Sequence, residues 1–91
     1  MATGLTNNEE TRRACLEVLA TRPGAALNVA GIKRRIVAAQ TLDFRVSEEE
    51  IAAALAFLSS QGLVSSRHDP FGSTVYWEAT GDGILHYERG N

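Results

Sequence analysis

Three charged clusters in this sequence have residue types suited to chemistry. Lys33, Arg34 and Arg35 are consecutive cations, Glu48, Glu49 and Glu50 are consecutive carboxylates, and Arg67-His68 is a smaller basic pair. Clustered cations suit phosphate contact, because each phosphate they neutralise releases bound counterions. Successive helical residues are turned by about 100°, so the basic trio spans a broad arc and equally fits a solvated helix face. Arg45 adds one more cation just before the carboxylates. The glutamates act in the opposite sense, since they repel phosphate and read only cytosine well.

Other reactive side chains do not assemble into a site. His68 and His86 fall on different segments, with no nucleophile or carboxylate at a catalytic spacing, and Cys15 sits on an apolar helical face. One cysteine and two scattered histidines make no metal cluster. Gly81-Asp82-Gly83 lacks the lysine and the strand-to-helix setting of a phosphate loop, and reads as turn chemistry. Tyr76 and Trp77 alternate across one strand, so they form no joint stacking platform, and Trp77 is expected in the core between the sheet and the third helix. The expectation is a chain that is not an enzyme and needs neither cofactor nor metal.

Composition sets the frame for these residues. Ninety-one residues suffice for one domain with a modest core, here expected to span 1–91 with residues 1–6 as a flexible end. Hydrophobic residues make up 44% and the formal net charge is −2, an acidic balance that weighs mildly against nucleic acid. The N-terminal stretch lacks the basic and apolar regions of a secretory signal, and the single cysteine cannot form an internal disulfide. A cytoplasmic location is expected.

The elements that position the charges follow from periodicity. A first helix is expected over 7–22, capped by Thr6 or Asn7, with Cys15, Val18 and Leu19 on its buried face and Pro23-Gly24 as its stop. A second runs over 29–39 from an Asn28 cap, with Val29, Ile32, Ile36 and Val37 inward and the basic trio largely outward. Ser47 and Glu50 form a capping box for a third helix, whose stripe is Ile51, Ala54, Leu55 and Leu58 and whose end is Gly62. Phe57 lies at the edge of that stripe, where it would cover the strands that follow or join a dimer contact. Strands over 63–67 and 74–79 follow, joined by His68-Asp69-Pro70-Phe71-Gly72-Ser73. Thr80 caps a short last helix carrying Ile84, Leu85 and Tyr87.

This order resembles the winged helix-turn-helix superfamily, a mostly α, α+β fold of three bundled helices, a two-stranded wing and a short C-terminal helix. The run Ile51 to Val64 resembles the family's third helix entering its first wing strand, and Trp77 to Gly83 its second strand and last helix start. Pro23-Gly24, Leu27-Asn28 and Arg45-Val46-Ser47 are similar to matching points in small winged-helix proteins of Mu-like prophages. The resemblance implies a small phage-type transcriptional regulator contacting duplex DNA with its third helix and wing. Lys33, Arg34, Arg35, Arg45, Ser47, Arg67 and His68 would carry that contact. The rival is a protein-interaction module whose Glu48 and Glu49 meet a basic partner. A homodimer is also expected, because Leu5, Leu16, Ile84, Leu85 and Tyr87 exceed what one short terminal helix can bury.

Overall fold

The computed structural model describes residues 7–90, so the Thr6 cap, Leu5 and the expected flexible end at 1–6 lie outside the described residues. In chain order the elements are α1 (Asn7–Ala20), α2 (Val29–Ala39), α3 (Glu48–Ser60), β1 (Val64–His68), β2 (Val75–Ala79) and α4 (Gly81–Glu88). Leu19, Ile32, Ile36, Ile51, Leu55 and Cys15 are fully buried where the first three helices meet. The strands pair antiparallel, Val64 opposite Ala79 and His68 opposite Val75.

Local chemistry fixes the ends of α3. Ser47 Oγ accepts from the Glu50 amide at 3.1 Å, while Glu50 Oε1 accepts from the Ser47 amide at 2.8 Å. Val46 before the cap and Ile51 on the fourth helical residue are both buried in the same core, the arrangement of a hydrophobic staple. At the other end Gly62 is left-handed (φ 76°), and the amides of Gly62 and Leu63 donate to Ser59 and Leu58 carbonyls. This Schellman-type turn satisfies two terminal carbonyls and starts β1 immediately. α2 ends in the same way through Gln40 (φ 53°), with the amides of Gln40 and Thr41 donating to Val37 and Ile36.

Several sequence expectations need correction, among them the strand bounds. β1 runs over Val64–His68 rather than 63–67, so His68 ends the strand instead of opening the turn, and β2 starts at Val75 rather than 74. α1 ends at Ala20 rather than residue 22, because the Arg22 amide bonds Leu19 in a tighter turn ahead of Pro23-Gly24. Val37 is 60% exposed: only Ile32 and Ile36 are buried on α2, and the next residue rotates about 100° past that narrow stripe. Trp77 is part-buried and packs against the core as expected, with its indole nitrogen enclosed and without a hydrogen-bond partner, while β2 also packs on α1, α2 and α4. Leu27 and Trp77 also exchange two backbone hydrogen bonds, of 2.9 and 2.8 Å, so the connector before α2 adds a one-residue bridge to the wing sheet.

α4 is latched to the root of the wing. Thr80 Oγ1 donates to the Gly62 carbonyl at 2.7 Å and accepts from the Gly83 amide at 3.0 Å. Gly83 is buried, and a Cβ placed there would overlap the Leu63 carbonyl oxygen, a backbone atom that cannot swing aside. Gly83→Ala is therefore expected to destabilise the fold by about 1–3 kcal/mol through overpacking. Gly81→Ala, which meets open space at the first helical residue, should be neutral or slightly stabilising. Urea midpoints of the two variants would check this, and equal midpoints would show that α4 can shift freely.

Candidate nucleic-acid interface

α3 presents a smooth outer face. Glu48 and Glu49 are exposed at its start, and Ala52, Ala53, Ala56, Ser59 and Ser60 are exposed along its length. From Ser47 to Gln61 the helix carries no lysine or arginine. Methyl and hydroxymethyl groups approach a surface closely, but they offer few of the bidentate donors that identify a base. The three glutamates complement the helix dipole, worth roughly 0.3–1 kcal/mol each at an exposed terminus. Ser47 and Glu50 hold each other, so the Ser47 hydroxyl is engaged as a cap.

The cations lie on the elements flanking that face. Arg34 and Arg35 are exposed on α2 and line a cleft of about 290 Å³ with Leu27, Gly31 and Ala38, while Lys33 is half-buried. Arg45 is exposed in the connector entering α3. Among the described residues none of these four makes an ion pair. Arg67 differs, since its guanidinium bonds Glu78 across the wing at 3.0 Å. The two side chains are 63% and 32% exposed, so the pair is worth at most about 1 kcal/mol and is readily exchanged. His68 is exposed at the far end of β1. The expected site residues thus fall on three elements: α2, the connector with its Ser47 cap, and the wing.

Two features escaped the sequence reading. Arg12 of α1 lies over one face of the Phe57 ring, 3.7 Å from its centroid, and leaves the residue 41% exposed. Arg12 also lines an open groove of about 510 Å³ with Asn8, Thr11, Ser47, Glu49 and Glu50, which brings a cation to the acidic start of α3. Nothing in the local sequence signals either contact, because both join helices far apart in the chain. The second feature is Phe71, 95% exposed at the wing tip. An aromatic residue between proline and glycine in a turn was the available signal.

Cys15 is a poor nucleophile here, because burial pushes its thiol up to about 12 and leaves negligible thiolate at neutral pH. Among the described residues no helix is long and apolar enough to cross a membrane.

The sequence matches no protein-family model and no curated protein. The fold, by contrast, is that of a winged helix-turn-helix domain, as in solved transcription regulators. A transcriptional regulator of Clostridium thermocellum superposes with TM-score 0.75 at 17% identity, covering 96% of this chain and 84% of that one. A double mutant of Lactococcus lactis ZitR in its apo form gives 0.69 at 21%, covering 92% of this chain and 56% of ZitR. MepR of S. aureus, solved in a complex with DNA, gives 0.70 at 16%, covering 94% and 61%. The chain therefore spans little more than half the length of ZitR and MepR. At these identities the likeness establishes the fold.

Proposed function

We propose that this chain is a DNA-binding transcriptional regulator of phage or prophage type, acting in the cytoplasm as a homodimer. The observation that carries this reading is the set of unpaired cations, Lys33, Arg34, Arg35 and Arg45, flanking an exposed third helix. The fold is shared with MepR, whose structure was solved on DNA. Affinity comes mainly from phosphate contacts by α2 and the connector, with α3 lying close to the duplex and the wing beside it. The exposed Glu48 and Glu49 weaken such binding, which makes this a low-affinity, salt-sensitive binder. Dimerisation draws on a smaller surface than the sequence suggested, since Leu16 is buried in the core and Tyr87 packs against it. Leu85 (49% exposed) and Phe57 (41%) remain available.

Fluorescence anisotropy with a mixed-sequence duplex tests the reading. About three phosphate contacts give a slope near −3 in log K against log salt. Glu48→Gln with Glu49→Gln should raise affinity by removing repulsion, while Ser47 and Glu50 stay untouched to preserve the cap. Sedimentation equilibrium at micromolar concentration should give a dimer, and a monomer throughout would remove that part of the proposal. If neither wild type nor the double variant binds duplex at low salt, DNA is abandoned in favour of a basic protein partner for Glu48 and Glu49.

A further inference from the structure

The wing ends in a turn that holds an aromatic ring in solvent. Among the described residues Phe71 is the most exposed large hydrophobic side chain, at 95%. Its backbone is nonetheless tightly tied. The Phe71 amide donates to Asp69 Oδ1 at 3.0 Å, the Gly72 amide to the Asp69 carbonyl at 3.3 Å, and the Asp69 amide to the Thr74 carbonyl at 3.0 Å. Pro70 fixes one more backbone dihedral beside it. Asp69 is part-buried and spends its carboxylate on the turn's own amide, so the outermost group of the wing is apolar.

We propose that Phe71, with Pro70 beside it, is a wedge that enters the minor groove and partly unstacks a base step of bound duplex. This rests on the DNA-binding reading above and adds how the duplex is chosen. Two observations favour DNA over another occupant. Arg67 and His68 lie on the same ribbon just behind the tip, and the weak Arg67–Glu78 pair can give way to a phosphate. α3 offers no lysine or arginine, the side chains that read guanine bidentately, so direct readout from this helix is weak and leaves room for discrimination by shape. Apolar wedges on narrow arms kink duplexes by roughly 20–90° and favour steps that unstack easily. Pyrimidine–purine steps such as TA deform most readily, whereas A-tracts are stiff, so the wedge selects sequence through deformability. The pre-ordered turn spares the ordering cost that a flexible loop would incur on binding.

End-labelled duplexes of roughly 20 base pairs, read by energy transfer, test the proposal. One duplex carries a central TA step and the other an A-tract. Wild type should shorten the end-to-end distance of the TA duplex and bind it more tightly than the A-tract duplex. Phe71→Ala, at so exposed a position, should fold normally, keep the salt slope, lose the bend, and bind the TA duplex about 5-fold more weakly or worse, the loss expected for one base–aromatic stack. Phe71→Leu should retain part of the bend. Steep salt dependence in wild type with an unbent duplex, or a bend that survives Phe71→Ala, would overturn the wedge and leave DNA binding intact. No duplex binding by wild type at low salt overturns both. If Phe71→Ala instead converts a dimer to monomer with the bend unchanged, the ring belongs to a contact between copies and the wedge is overturned.

Discussion

Leu55→Ala is expected to lower unfolding free energy by about 2–5 kcal/mol, the usual range for truncating a buried leucine. Leu55 is fully buried at the middle of α3, and α3 packs against both α1 and α2. Collapse around the missing atoms is restricted on every side. Ile51 lies one turn before it and Leu58 one turn after, both held in place by the capping box and the Gly62 turn. The void therefore stays largely open, which places the cost in the upper part of the range. A domain of this size has total stability of only about 5–15 kcal/mol, so the variant should be close to unfolding at physiological temperature. Urea denaturation followed by circular dichroism gives the measurement. A midpoint shift equivalent to under 1 kcal/mol would mean that the α3 stripe is not the centre of the core.

The parts of the fold legible in the sequence are those written in local chemistry. Ser47 with Glu50 announces one end of α3 and Gly62 the other, and both signals act within about one and a half helical turns. Asn28 and Thr80 mark their helices for the same reason, each accepting from the amide three residues on, at 2.8 and 3.0 Å. The Leu27–Trp77 bridge left no trace, because a single residue has no alternation and its partner is fifty residues away. Val37 misled because a run of apolar residues fixes the direction of a buried stripe better than its width. The candidate interface was legible as a list of cations but not as an arrangement. Sequence could not show that Arg67 is paired with Glu78, that Arg12 lies over Phe57, or that Phe71 stands at the apex of the wing. All three depend on elements brought together by tertiary packing or on which way a turn faces.

Reversing the charge of the basic trio should have the largest effect on function. In Lys33→Glu, Arg34→Glu, Arg35→Glu, three cations spread over a broad arc of α2 become three anions. With about three contacts, wild-type affinity for a generic duplex should fall about 40-fold between 50 and 200 mM salt. The triple variant should show no measurable binding even at the low-salt end of that range. Repulsion adds to the loss, because the new carboxylates join the unpaired Glu48 and Glu49 on the next element. Packing should survive the change. Arg34 and Arg35 are exposed, Lys33 is half-buried, and none makes an ion pair among the described residues that the fold would lose. Each single reversal should flatten the salt slope by about one unit if its cation touches a phosphate, and leave it unchanged if that cation only faces solvent. Three single variants and the triple, each checked for native circular dichroism, thus show which cations contact the backbone. A triple variant that binds duplex with the wild-type slope would move the interface off α2, leaving Arg45, Arg67 and His68 as the cations to reverse next.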